Sequence, residues 1–261
     1  MMKVPFWKLS GAGNDFVLLH GLPRARSGPA LARRLCDRRR GVGADGLLSV
    51  ARRGGRARLD YWNADGSAAF CGNGTRCGAL WASARGLVSG RRFVLDTIRG
   101  PLEVALTGAS RAEVRMPAPK GFRLGLRLKA LGRAWTVHFV DTGVPHAVVF
   151  VPNAASVDVR AAGRALRFHR AFGRAGANVD FVERRGGTLI LRTYERGVED
   201  ETLACSTGVV AAAAVARALG KTRDRVKIRV RGGDVLNVFF DAASARLEGP
   251  GVVVYTGEVS L

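Results

Sequence analysis

Apolar and polar positions alternate in short runs along most of the chain. Runs of β-branched and alternating residues predict strands over Arg111–Met116, Thr136–Val140, Ala147–Val151, Leu189–Tyr194, Val226–Val230 and Val235–Phe240. Two segments break that period. Gly72 to Ala84, with Gly86 as its stop, and Thr207 to Leu219, with Gly220 as its stop, read as Ala-rich helices. Each half is expected to hold one such Ala-rich helix, buried and wrapped by strands. A shorter helical segment is read from Ala30 to Arg39. Strands that do not alternate regularly with helices predict an α+β fold, not a doubly wound parallel sheet.

The chain also resembles itself. Ile98-Arg99-Gly100 is echoed by Val230-Arg231-Gly232, and Leu102-Glu103-Val104 by Leu236-Asn237-Val238. Cys71 and Cys205 stand 134 residues apart, each followed by small residues and then an Ala-rich stretch. Gly13-Asn14-Asp15-Phe16-Val17 has a counterpart in Ala177-Asn178-Val179-Asp180-Phe181-Val182. Four matches in nearly the same order predict a duplication. It would give two pseudo-symmetric halves, each a strand-rich sheet or barrel around one helix. The boundary is placed near Pro117–Pro119, where the strand pattern breaks. The halves are then 1–118, carrying Cys71, and 119–261, carrying Cys205, with a last strand over about 252–260 returning to the first half.

Composition adds one unusual feature. The 261 residues contain 42 Lys+Arg against 21 Asp+Glu, a net charge of +21. Such a balance raises nucleic acid as a partner. The basic residues are scattered and their runs are short, as in Arg38-Arg39-Arg40. Aromatics, at 7%, are not interleaved with them as a stacking platform requires. A solvated Arg-rich surface is the favoured reading, with no nucleic acid bound. The start of the chain lacks a long apolar leader, and Val209–Ala216 is too short to span a bilayer. A cytoplasmic protein with reduced thiols and no membrane association is expected. No Cys-x-x-Cys pair occurs, so no metal site is expected.

Cys71 and Cys205 stand where each Ala-rich helix begins. Backbone N–H groups and the helix dipole favour an anion there, and can lower a thiol pKa from about 8.5 toward roughly 3.5–7.5. The same N–H groups offer a seat for a carboxylate. The duplication would bring both thiols to one cleft between the halves. One thiolate could then remove a proton from one face of a carbon while the other thiol delivers a proton to the opposite face. Cys36 and Cys77 are read instead as small buried apolar residues. The Gly-rich start Cys71-Gly72-Asn73-Gly74 is costly for a helix unless its backbone approaches something closely.

These motifs resemble those of the diaminopimelate epimerase family of pyridoxal-independent enzymes. The segments that carry the likeness are Lys8–Phe16, Gly41–Gly46, and Asn63–Ser67 leading into Cys71–Gly74. Later come Gly143–His146, Asn178–Phe181, and Tyr194–Gly197 leading into Cys205–Gly208. They run in family order over about three quarters of the chain. The resemblance implies an isomerase of lysine and peptidoglycan biosynthesis that interconverts LL- and meso-diaminopimelate with no cofactor. It implies Cys71 and Cys205 as the acid/base pair, with His146 and Glu195 tuning the thiols. Gly72, Asn73, Ser206 and Thr207 would cradle the reacting carboxylate. Asn14, Asn63, Asn178, Glu195 and Arg196 would contact the substrate's charged groups. Family members are often homodimers. Gly46 and Val144 stand where some members have glutamine and asparagine, and Ser206 where glycine is usual.

Two alternatives remain at this level. A racemase of another amino acid could use the same scaffold. A basic, non-catalytic nucleic-acid-binding protein would leave the paired cysteine segments unexplained. A pyridoxal enzyme lacks support, since none of the six lysines has a convincing Schiff-base setting.

Overall fold

Short strands and two helices of small residues build two units of the same connectivity. The computed structural model describes residues 2–24, 26–241 and 244–261. One unit comprises Met1–Val114 and Glu248–Leu261, the other Arg115–Leu247. The architecture is α+β.

In the first unit β1 (Lys3–Gly11) and β2 (Asn14–His20) form a hairpin through Ala12 and Gly13, both at positive φ. Helix α1 (Gly28–Leu35) leads into β3 (Gly46–Arg53), parallel to β2, and β4 (Arg56–Asn63) returns antiparallel. After α2 (Gly72–Ala84), β5 (Arg92–Thr97) runs parallel to β4, and β6 (Gly100–Gly108) and β7 (Arg111–Met116) follow antiparallel.

The second unit opens with a long hairpin, β8 (Lys120–Ala130) and β9 (Arg133–Asp141), followed by β10 (Pro145–Phe150). Helix α3 (Val159–Arg167) leads into β11 (Asn178–Arg185), parallel to β10, and β12 (Thr188–Glu195) returns antiparallel. A short β13 (Asp200–Thr202) precedes α4 (Ser206–Ala218). Then β14 (Arg225–Arg229) runs parallel to β12, and β15 (Val235–Phe240) is antiparallel to it. Strand β16 (Ala245–Pro250) leads to β17 (Val252–Ser260), which pairs antiparallel with β1, Lys3 opposite Ser260. The series β2-α1-β3-β4-α2-β5-β6 is thus repeated by β10-α3-β11-β12-α4-β14-β15.

Each Ala-rich helix is the core of its unit. Every residue from Gly72 to Ala79 is buried, as is every residue from Gly208 to Ala216. Small side chains let strands approach the helix closely. A Cβ on Gly78 would lie 2.2 Å from Leu59 Cδ1, and one on Gly74 would lie 3.0 Å from Leu48 Cδ2. Those contacts offset the poor helix propensity of glycine.

The reading of a helix over 30–39 needs correction. Helix α1 begins at Gly28, because Ser27 accepts the Ala30 amide and Pro29 sits in the first turn. It ends at Leu35. Asp37 then captures the amides of Arg39 and Arg40, which holds a turn in place of further helix.

Candidate active site

Cys71 is the N-cap of α2, with extended backbone (φ −132°, ψ 112°). Its Sγ accepts the Gly74 amide at 3.4 Å, the role a serine or aspartate usually takes at that position. Sγ also lies 3.5 Å from Asn14 Oδ1, to which the thiol donates. The same oxygen accepts from Asn73 Nδ2 at 3.3 Å, while Asn14 Nδ2 donates to Asp45 at 2.6 Å. Cys71, Asn14 and Asn73 are therefore held together. Gly72 and Asn73 occupy the first helical positions, the anion-seeking end of the dipole.

A charged network anchors Asn14 from behind. Asp45 also accepts from Arg38 at 2.7 Å and from the Asp15 amide. Asp15 accepts from Arg38 and from Lys8, whose ammonium also reaches the Gly43 carbonyl. Burial pushes the Asp15 carboxyl up, but Arg38 and Lys8 outweigh it and hold the pKa at about 2. Asn63 is committed to its own turn: Nδ2 donates to Ser67 at 2.9 Å and Oδ1 accepts the Tyr61 hydroxyl at 2.8 Å.

In the second unit Cys205 is the N-cap of α4 and is 7% exposed. Its Sγ is 3.3 Å from the Thr207 hydroxyl. Burial pushes this thiol well above its ordinary range, and the carboxylates of Glu195 and Asp180 push the same way. The Thr207 hydroxyl and Gly208 amide oppose them without prevailing. The expectation of a lowered pKa at the helix start is thus reversed for Cys205. Desolvation and two nearby anions outweigh the helix end, so the resting group is the thiol.

His146 is fully buried at the start of β10, its Nδ1 2.7 Å from Asp180 Oδ2. Across the parallel β10–β11 register His146 faces Asn178, whose Nδ2 lies 3.4 Å from Nε2. Asn178 Nδ2 also donates to the Pro145 carbonyl, and its Oδ1 accepts the Arg196 amide at 2.8 Å. These partners assign the imidazole proton to Nδ1, donated to Asp180. Asp180 accepts the Thr193 hydroxyl at 2.7 Å as well. It also presses on α4, since a Cβ on Gly208 would come within 2.6 Å of Asp180 Oδ1. Glu195 accepts from Thr202 at 2.8 Å. The half-buried Arg196 has no hydrogen-bond or ion-pair partner for its guanidinium among the described residues. Thr142 donates to the Thr207 carbonyl at 3.1 Å, tying the β9–β10 turn to the first turn of α4, where Ser206 is buried.

Asp180 and Arg76 escape sequence reasoning, as does the Lys8–Asp15–Arg38–Asp45 cluster. Each of the first two left a signal. Asp180 interrupts an apolar run in β11, two residues after Asn178 and so on the same face. Arg76 interrupts a helix of small residues. Cys36 and Cys77 are buried thiols, each pushed up to about 12 by burial. Gly46 is enclosed: a Cβ there would meet Tyr61 Cε2 at 2.3 Å and the Trp62 carbonyl at 2.7 Å. No helix among the described residues is long and apolar enough to cross a membrane.

Solved structures share this fold. A phenazine biosynthesis protein of the PhzF family from Bacillus anthracis aligns over 100% of both chains with a TM-score of 0.80 at 15% identity. A probable proline racemase from Agrobacterium radiobacter aligns over 99% of this chain and 93% of its own, with a TM-score of 0.76 at 18% identity. Sequence comparison is sharper. The profile of the family described as diaminopimelate epimerase matches residues 6–120 and 138–261. The diaminopimelate epimerase of Methanocella arvoryzae is 38% identical, covering 100% of this chain and 98% of that protein. The diaminopimelate epimerase of Chlorobaculum tepidum is 39% identical, covering 97% and 100%. The chain belongs to the diaminopimelate epimerase family, and it is an isomerase of the amino-acid epimerase type.

Proposed function

We propose that this protein interconverts LL- and meso-diaminopimelate by moving the α-proton between two thiols, as a cofactor-independent step of lysine and peptidoglycan biosynthesis. The observation that carries the reading is the repeated one: each unit presents a cysteine as the N-cap of its buried helix. Cys71 and Cys205 would then serve opposite faces of the α-carbon. A thiolate on one side takes the α-proton, and the thiol on the other side gives one to the opposite face. No atom is gained or lost beyond solvent exchange. Cys205, kept protonated, suits the donor's part for the isomer whose α-hydrogen faces Cys71, and the parts reverse for the other isomer.

The amides of Gly72 and Asn73 and of Ser206 and Thr207 then hold the α-carboxylate as charge builds on it. Glu195 and His146 tune the thiols, His146 through its bond to Asp180. Asn14, Asn63, Asn178, Glu195 and Arg196 bind the charged groups of the substrate. Arg196 offers a planar fork for a second carboxylate. The protein would act in the cytoplasm on a small molecule, with no nucleic acid or membrane as partner. It would assemble as a homodimer, for which the exposed run Val252, Val253, Val254 and Tyr255 of β17 supplies an apolar surface.

A sister racemase is the second reading. It is favoured by enclosed Gly46 and apolar Val144, which offer the far end of the substrate no side-chain hydrogen bond. The deciding experiment is α-hydrogen exchange in deuterated water, with reductant and no added cofactor. LL-diaminopimelate would be offered beside single-centre amino acids. Exchange with inversion of diaminopimelate alone is expected. Exchange of another amino acid alone would move the chain to the sister racemase, and exchange of none would refute both. Cys71→Ala and Cys205→Ala should each lower the inversion rate by at least about a hundredfold, the scale of a lost general acid or base.

A further inference from the structure

Arg76 stands in the second turn of α2 and is 0% exposed, one of the largest fully buried side chains among the described residues. Its guanidinium spreads over the beginning of its own helix. Nη2 donates to Asn73 Oδ1 at 2.6 Å, Nη1 to the Gly72 carbonyl at 3.4 Å, and Nε to the Pro250 carbonyl at 3.5 Å. A charge in a protein interior is expensive unless it is paired and hydrogen-bonded, and these three acceptors are what hold this one.

Two consequences follow from these bonds. An amide side chain has one donating and one accepting end. With Oδ1 of Asn73 taken by Arg76, Nδ2 must turn outward, and it does so, toward the Asn14 oxygen that also receives the Cys71 thiol. The second consequence is in the backbone. A trans peptide points its C=O and N–H in opposite directions. The Gly72 carbonyl that accepts from Arg76 points along the helix toward its C-terminal end, so the Asn73 N–H points out of the helix start.

We propose that Arg76 is a positioning residue: it fixes the polarity of the Asn73–Asn14–Cys71 chain and the aim of the Asn73 amide, and its buried cation favours the Cys71 thiolate. This rests on the two-thiol reading of the site. The groups that face Arg76 are Cys71 and Cys77 on its own helix, and Glu248 and Arg111 from the strands around it. Through Asn14 the site also feels Asp45, Asp15, Arg38 and Lys8. Burial pushes the Arg76 guanidinium below its ordinary value, with Cys77, Cys71 and Glu248 opposing it; an arginine starts high enough to keep its proton at neutral pH all the same.

The test uses the full-length protein and two variants, Arg76→Gln and Arg76→Lys. The pH dependence of iodoacetamide alkylation would be read separately at Cys71 and Cys205 by peptide mass. It needs no substrate, so its result does not depend on which amino acid is turned over. Arg76→Gln should slow Cys71 alkylation at pH 7 about tenfold, the equivalent of one pKa unit, with Cys205 unchanged in the same sample. Arg76→Lys keeps the charge but loses the fork. It should leave the Cys71 alkylation profile close to that of the unmodified protein while slowing α-hydrogen exchange about tenfold or more. An unmoved Cys71 profile in Arg76→Gln would overturn the electrostatic part. Full exchange activity in Arg76→Lys would overturn the positioning part, and that comparison decides the matter if Arg76→Gln does not fold.

Discussion

His146 Nδ1 and Asp180 Oδ2 lie 2.7 Å apart, with neither side chain exposed to solvent. Asp180 is the hub of that pair, since it also accepts from Thr193 and abuts the first turn of α4. Truncating one partner of a buried polar pair leaves the other without its bond. Asp180→Ala should therefore lower unfolding free energy by about 1–3 kcal/mol, the cost of an unsatisfied buried donor. Urea unfolding at neutral pH is the check, and a loss under about 1 kcal/mol would show that the pair is not structural.

Gly208 carries the same relationship onto the helix. Its Cα leaves no room for a Cβ, which would stand 2.6 Å from Asp180 Oδ1. That carboxylate is pinned and cannot swing away. Gly208→Ala should cost about 1–3 kcal/mol, the usual range for overpacking, despite alanine's better helix propensity. A variant more stable than the parent in thermal unfolding would contradict the crowding.

The buried thiols give the protein an alkaline weakness. Burial raises Cys36 and Cys77 to about 12, and raises Cys205 as well. A group whose folded pKa is raised stabilises the fold fully below its unfolded value and ceases to do so as pH climbs. Stability should fall as pH rises above about 9, the ordinary thiol value. Cys77→Ala should flatten that fall relative to the parent. Equal slopes for the two proteins between pH 9 and 11, read by urea midpoints, would remove Cys77 from the explanation.

Asp15 works at the other end of the scale. Its carboxyl, ordinarily near 3.8, is held at about 2 by Arg38 and Lys8 against the effect of burial. A lowered folded pKa stabilises the fold above the unfolded value and stops doing so as pH drops through the folded one. Asp15→Asn should thus be less stable than the parent at pH 6, with the gap closing between about pH 4 and 2. A gap independent of pH would point to lost hydrogen bonds and not to charge.

Cys205 should respond to its anionic neighbour. Glu195 raises the pKa of this thiol, so Glu195→Gln should ease ionisation and speed alkylation of Cys205 at pH 8. Slower or equal alkylation in that variant would mean that burial alone sets the reactivity.

Much of this was legible in the residues themselves. The two Ala-rich helices, the cysteines at their starts and the echo between Gly13–Val17 and Ala177–Val182 are local patterns, and local patterns are what a sequence encodes directly. Ala-rich composition and the glycine stops placed α2 at its observed bounds and α4 within one residue of them. What the sequence could not supply is who meets whom across strands. Asp180 reaches His146 through the parallel register of β10 and β11, a pairing set by packing and not by spacing. Arg76 looks like one basic residue among 42 Lys+Arg until folding buries it beneath Asn73 and Gly72. The same holds for thiol chemistry. A cysteine at a helix start predicts a lowered pKa, yet Cys205 is raised, because solvent exclusion and the approach of Glu195 and Asp180 exist only in the folded chain. Sequence determined the two buried helices, the strands from Arg111 onward that it named and the reactive atoms they carry; tertiary structure decided the charge states, since electrostatic energy depends on distance and burial, which arise only when remote segments pack.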